Sequence, residues 1–525
     1  MPTNKYLKII DQYIRRDDIS RHNSNLIYSV PAMNAIVHGA VSKDYWFERV
    51  YKERARTLND EGWLYIHNMD VLGPYCSGYS AVDLAIKGLN SNAKNTLRTK
   101  PPKHVHSLLG QCSNFITLVS QEIHGACAIN DLTTVVASYW FVENEIFGLN
   151  VEFEDIKNAW QHFIYEVNMA FRSGNSAFSN ITMKPDGPDV ALKDDFVAFA
   201  GKHLTQNEEF KVHGKTVKIE KDIFYKDVPL KYYQETNRAF IEVFAEGDAE
   251  GKPFTFPLIT VNIDDNFNFN DEVFELLLTE CDKWGGIYLE NYRTKPFDEE
   301  SDFKKLNPYI QARNPELQKS FCCRFQVGLE DILKINSSIF RSGSGVGGLG
   351  VFNINLNRIG YVAHGDWDLY YKLLGELMDT VQELAQRKRE FIQQNMDLYP
   401  YWSYYNKSLD SYYNVISICG GHESLVNMGI EDGLNSEAGI DKGTEIAKFM
   451  RDRISMYIKR DKVPVSLEYA PSESAAPKLA KSDLQFVEWL ASEEPRTTPL
   501  SAWTYKMFAE DIYKQYVKGV YFVNE

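Results

Sequence analysis

The feature that most constrains this chain is the alternation of short apolar runs with long helical stretches. Trp63-Leu64-Tyr65-Ile66-His67, the run Phe256 to Val261, and Gly286 to Leu289 read as strands, and Val351 to Leu356 alternates like one. Helical patterning lies between them: Pro31 to about Asp60, with Gly62 placed to end it, then Val82-Leu84-Ile86, Ser107 to Val142, and Asp271 to Trp284. Strands separated by helices pair in parallel through crossover helices, which predicts an α/β fold. The length of 525 residues suits a closed barrel better than an open sheet. Residues 1–61 then form an N-terminal helical lead into a barrel spanning 62–525. Within it, the Lys/Asp/Asn-rich stretch 184–228, which starts at Pro185-Asp186-Gly187-Pro188, reads as an insertion or excursion. The charged run Glu383 to Arg389 reads as the solvated face of a helix.

Charge and cysteine usage narrow the function. The balance of 57 basic against 72 acidic residues, net charge -15, repels a polyphosphate backbone. Nucleic acid is therefore not an expected partner, and any phosphate recognition must be local. No run approaches the roughly 20 apolar residues that span a bilayer, and the N-terminus lacks the apolar core of a signal peptide, so no membrane is expected and the compartment is read as cytoplasm. Seven cysteines, at 76, 112, 127, 281, 322, 323 and 419, include no C-x-x-C pair. A disulfide framework and a zinc ribbon are both disfavoured, and no metal ligand set is predicted.

Four segments are candidates for chemistry. Cys322 and Cys323 are adjacent and precede Arg324 and a strand-like Phe-Gln-Val; taken alone, two small buried residues explain them more simply than redox or radical chemistry. Cys76 lies in Gly73-Pro74-Tyr75-Cys76-Ser77-Gly78, after a strand and before a helix, where the C-terminal edge of a parallel barrel places functional groups. Two thiols converging on one ligand can deliver two electrons as they close to a disulfide. The glycine-rich stretch Arg341 to Gly350 contains G-x-G-x-x-G at Gly343, Gly345 and Gly348, but a strand follows it. A dinucleotide fingerprint must open a helix, so that reading is rejected. These glycines need backbone freedom or close approach to something that spacing does not name. Finally, Leu467 to Lys478 reads as a strand, a turn at Pro471-Ser472-Glu473-Ser474, and a helix start at Ala475-Ala476. Free N–H groups there suit an anion, although an ordinary capped helix would look the same. His422-Glu423 does not extend to H-E-x-x-H.

Taken in order, the blocks Asn25 to Met33, Glu61 to Asp70, Pro74 to Gly78, Gln121 to Ala126, Phe178 to Thr182, Glu246 to Pro257, Cys322-Cys323-Arg324, Gly347 to Val351, Asn355 to Ile359 and Ala470 to Glu473 resemble the anaerobic, class III ribonucleoside-triphosphate reductases. The resemblance implies a ten-stranded α/β barrel of the ribonucleotide reductase and glycyl-radical enzyme type, with a central finger loop. By the same resemblance Cys323 is the finger-loop thiol that becomes a thiyl radical and removes the ribose 3′-hydrogen, and Cys322 is the weaker candidate. Cys76 matches the thiol on the first barrel strand that gives hydrogen to the 2′ carbon. Ser472, Glu473, Ser474, Ala475 and Ala476 match the loop that holds substrate phosphates through backbone N–H groups, with Asn355 and Gly348 as supporting positions. Implied partners are a ribonucleoside triphosphate, nucleotide effectors and a second copy of the chain.

The departures are equally specific. The family's four-cysteine zinc site and glycyl-radical loop find no match before Glu525, and no ATP-cone precedes the first block. The expectation is that no cofactor is bound by these residues, and that a glycyl radical comes from a separate polypeptide after activation by a radical-SAM enzyme. The isolated chain is then expected to be inactive. Gly348 stands where formate-using members carry Asn, which leans toward a thiol reductant. The competing readings are a nucleotide-binding paralogue without turnover, and another glycyl-radical enzyme akin to pyruvate formate-lyase, in which adjacent cysteines also occur. The turn at 471–476 argues against the latter.

Overall fold

A computed structural model describes residues 5–16, 27–281, 287–293, 318–320, 326–328, 345–468 and 474–493. Its centre is one sheet of nine strands: β1 (Leu64–Ile66), β2 (Cys76–Tyr79), β3 (Cys127–Ile129), β4 (Ser179–Met183), β5 (Leu258–Ile263), β6 (Ile287–Asn291), β7 (Val346–Asn355), β8 (Tyr412–Cys419) and β9 (Val465–Glu468). The order is β6-β5-β4-β3-β2-β7-β8-β9, with β1 also on β7. The α/β class predicted from sequence holds, and nine strands of the sheet lie among the described residues.

Two departures from the sequence reading matter. Pairing is parallel from β2 to β6 and from β7 to β9, but β2 runs antiparallel to β7, so two parallel halves meet at an antiparallel seam. The expected continuous helix from Ser107 to Val142 is two helices, α5 (Val105–Val119) and α6 (Leu132–Phe141), with β3 between them. A three-residue apolar strand has too few residues to show a period of its own.

The seam also explains the strand that carries Cys76. Ile66 pairs with Phe352 and Cys76 with Gly348, so the chain takes ten steps from Ile66 to Cys76 while β7 takes four. β1 and β2 are therefore one strand interrupted by an excursion. Cys76 is the residue at which the strand resumes, at the N-terminal end of β2, not at a C-terminal edge as the sequence reading placed it.

Helices cover one face of the sheet. On it, Ile129, Ile181, Ile259 and Tyr79 pack into one apolar cluster with α5 and α6, and Phe352, Ile354 and Ile416 into another with α10 (Leu356–Ala363), α11 (Trp367–Gln394) and α14 (Glu437–Asp461), counting as α1 to α4 the helices Lys5–Ile14, Val30–Tyr45, Glu53–Glu61 and Ala81–Lys87, as α7 to α9 Phe153–Asn168, Leu230–Glu246 and Glu272–Cys281, and as α12 and α13 Trp402–Tyr405 and Gly421–Asn427. Gly62 ends α3 in the left-handed region, at φ +84°, as the sequence predicts. Residues 184–228 carry two small hairpins apart from the main sheet.

The charged run of α11 is not the solvated face expected. Glu383 and Arg387 pair at the surface, but Lys388 and Arg389 are buried. Arg389 donates to the carbonyls of Leu409 and Tyr412 and to Asn414, tying α11 to β8. Lys388 lies over the Trp46 ring, its stem in the space left by Gly350.

Candidate active site

The other face of the sheet is polar although it is buried. Pairing and period-2 alternation put Asn180, Thr182 and Thr260 there, with Asn130 just past β3; at the seam they put Tyr65, Cys76, Gly348, Asn353 and Asn355 there, and on β8 Ser417 and Cys419. Buried polar groups are kept where they are bonded or where something polar binds. The first group bonds within itself: Thr260 donates to Asn180, and Asn180 and Thr182 donate to Asn130. A helix-covered apolar face with a polar inner face is the inverse of an ordinary soluble sheet, and it marks the inner face as the place for a ligand.

Cys76 is fully buried on this face. Its sulfur accepts a hydrogen bond from the Ala126 N–H at 3.3 Å. Two glycines make room for it. A Cβ on Gly125 would lie 2.4 Å from the Cys76 sulfur, and one on Gly347 would lie 2.1 Å from the Cys76 carbonyl oxygen. This is the close approach the glycine-rich stretch requires. Gly348 is different: the nearest atoms to a Cβ there are on Val415 at 3.4 Å and Tyr75 at 3.6 Å, ordinary contacts, so a side chain would fit.

Around Cys76 the excursion between β1 and β2 is pinned from outside. His124 Nδ1 lies 2.8 Å from Asp70 Oδ1, and the Arg172 guanidinium donates to the carbonyls of Ile123 and His124. Desolvation pushes the Asp70 carboxyl up, but His124 and Arg172 outweigh it and hold it at about 2. Burial brings Arg172 down to about 10, partly offset by Asp70. Sequence reasoning singled out none of Gly125, His124 or Arg172; the Gln121 to Ala126 block held two of them without showing why.

Ser474 and the start of the helix that follows it lie at the far end of the same face. Ser472 and Glu473 lie outside the described residues, as do Cys322 and Cys323. Ser474 is hydrogen-bonded with the half-buried Tyr65. The helix that follows, α15 (Ala475–Glu493), begins with the buried Ala475 and Ala476; Ala476 packs against Cys419. Lys478 donates to the Asn59 carbonyl and sits over the Tyr65 ring, its ammonium lowered to about 8 by burial.

Asn355 is what fixes that helix. Its Nδ2 donates to the Gly62 carbonyl at 2.8 Å and to Asp483 of α15 at 3.1 Å, while its Oδ1 caps α10 by accepting from the Arg358 N–H. Asp483 also accepts from Arg358 Nε at 2.7 Å and from Asn357 at 2.9 Å. Arg358 and Asp483 are 1% and 2% exposed, so this is a buried ion pair with its remaining valences filled. Among the described residues no cluster of His, Cys, Asp or Glu could hold a metal, and no helix is long and apolar enough to cross a membrane.

The sequence profile of the anaerobic ribonucleoside-triphosphate reductases matches residues 22–518. The chain belongs to that family, and it is an oxidoreductase of the ribonucleotide reductase type. No curated protein sequence matches it significantly. Among solved structures, one described as an anaerobic ribonucleotide reductase is 18% identical with a TM-score of 0.67, covering 91% of this chain and 71% of that one. The Thermotoga maritima anaerobic ribonucleotide reductase with glycerol in the active site is 18% identical at a TM-score of 0.66, covering 91% and 74%. The same enzyme in complex with dATP and CTP is 17% identical at 0.64, covering 91% and 76%. At this identity the likeness is one of fold, and the fold is that of the anaerobic reductases.

Proposed function

We propose that the inner face of this sheet holds a ribonucleoside triphosphate for reduction at its 2′ carbon, with Cys76 beside the ribose and the start of α15 at the phosphates. The observation that carries the reading is that one buried face bears both a fully enclosed thiol and, at its far end, the helix start matched to phosphate binding. Cys323, with Cys322 the weaker candidate, is the thiol that takes the 3′-hydrogen atom and later returns it. Loss of the 2′-hydroxyl as water needs two electrons and two hydrogens in all; Cys76 supplies its hydrogen to the 2′ carbon and ends oxidised, paired with a second thiol that supplies the rest. The Ser472 to Ala476 segment offers backbone N–H groups to the phosphates. Enclosure of Cys76 by Gly125 and Gly347 keeps water from a thiol that must exchange hydrogen atoms rather than protons. A glycyl radical supplies, when present, the hydrogen-atom acceptor that starts the cycle; a buried thiol on a polar, enclosed face fits that chemistry. A radical-SAM activating enzyme, nucleotide effectors and a second copy of the chain complete the proposed assembly.

The test is anaerobic assay of deoxyribonucleotide formation by the chain together with a glycyl-radical segment and its activating enzyme. Cys76→Ser and Cys323→Ser should each abolish product while leaving the thermal unfolding curve in place. Undiminished turnover with Cys323→Ser would overturn the assignment.

A further inference from the structure

Asn353, in the middle of the polar face, is completely buried, yet among the described residues neither its Oδ1 nor its Nδ2 has a hydrogen-bond partner. Its neighbours differ. Asn355, two positions along, is bonded through both atoms, and Asn180 bonds at both ends of its amide. Leaving both a donor and an acceptor buried without partners is costly, and in native proteins it points to a group that arrives from outside.

The position of Asn353 says what that group is. On β1 it is opposite Tyr65, which is bonded with Ser474 at the start of α15, and on β8 it is opposite Ser417. Along β7 it lies five residues from Gly348, the partner of Cys76. It therefore stands between the thiol and the phosphate end. Phosphate oxygens only accept hydrogen bonds from an amide, which would fill Nδ2 and leave Oδ1 empty. A hydroxyl both donates and accepts, and can fill both.

We infer that Asn353 is a substrate-binding residue that grips a ribose hydroxyl, its Nδ2–H donating to the hydroxyl oxygen and its Oδ1 accepting the hydroxyl hydrogen. This rests on the reading of the inner face as a nucleotide site. It makes Asn353 the source of a preference for nucleotides that carry ribose hydroxyls over those that lack them.

The experiment is equilibrium binding of CTP and of 2′,3′-dideoxy-CTP to the full chain, with saturating dATP present to fill any second nucleotide site, for the native protein, Asn353→Ala and Asn353→Ser. Asn353→Ala should weaken CTP roughly tenfold and leave dideoxy-CTP unchanged, so that the preference collapses. Asn353→Ser, which keeps a donor and an acceptor, should retain part of it, and it carries the comparison if the alanine variant fails to fold. Equal weakening of both nucleotides, or no change in either, overturns the inference. Native protein that binds neither nucleotide overturns the nucleotide-site reading itself, whatever the variants do.

Discussion

The buried Arg358–Asp483 pair should be the main fastening of α15, and Asp483→Ala tests it. Asp483 accepts from Arg358 at 2.7 Å, from Asn357 at 2.9 Å and from Asn355 at 3.1 Å, all at buried positions. Its removal leaves the guanidinium with the Ser482 carbonyl at 2.8 Å and the Phe486 ring at 4.1 Å, but with no counter-charge in this network. Breaking one side of such a pair costs about 3–5 kcal/mol. That is a large share of a global stability of about 5–15 kcal/mol, so the helix should open locally before the sheet unfolds. By hydrogen exchange, opening of α15 should rise by roughly two to four orders of magnitude, while α5, on the other half of the sheet, keeps its protection. Replacing Arg358 and Asp483 together by leucine should recover part of the loss, because no charge is then stranded. Unchanged exchange in α15, or an equal rise throughout the molecule, would refute the fastening role.

Two further outcomes follow from the same geometry. Gly347→Ala should cost about 3 kcal/mol or more, since its Cβ would meet the Cys76 carbonyl, whereas Gly348→Ala should cost under about 1 kcal/mol; urea unfolding of the two variants gives the comparison, and equal costs would contradict it. Burial lowers the Lys388 ammonium to about 7, below its unfolded value, with Asp70 the partial offset. Between the two values the unfolded chain holds the extra proton, so Lys388 makes stability rise as pH climbs from about 7 toward 10 and costs stability below 7. Lys388→Met should remove that rise and stabilise the protein at pH 6, as measured by denaturant midpoints across the range.

Much of the fold could be read from the sequence because its signals were local. The strand at Trp63 to His67, the end of α3 at Gly62, and the strand ending at Glu468 each rest on patterns a few residues long. The glycine-rich stretch could be recognised as needing close approach, but its neighbours, Cys76, Tyr412 and Lys388, are distant in sequence and no spacing identifies them. Burial of Lys388 and Arg389 was hidden for the same reason: charges on a helix look solvated until a strand lies against them. The polar face was legible and was missed. Thr260 and Asn262 alternate with Ile259, Val261 and Ile263, as Asn353 and Asn355 do with Phe352 and Ile354, and such alternation in buried strands places the polar side chains toward a ligand.

The antiparallel seam reconciles these positions with one another. Cys76 pairs with Gly348, near the start of β7, while Tyr65 pairs with Asn353, near its end. Because β1 runs against β7, the N-terminal start of β1 is brought alongside the C-terminal ends of β7 and β8. Tyr65 thus reaches Ser474, Asn355 reaches Asp483, and Cys76 faces the same interior as the helix that follows β9. Parallel pairing throughout would place Cys76 at a C-terminal edge. The register replaces that placement: opposite Gly348, Cys76 shares the inner face with Asn353, five residues further along β7, and Tyr65 opposite Asn353 reaches the start of α15.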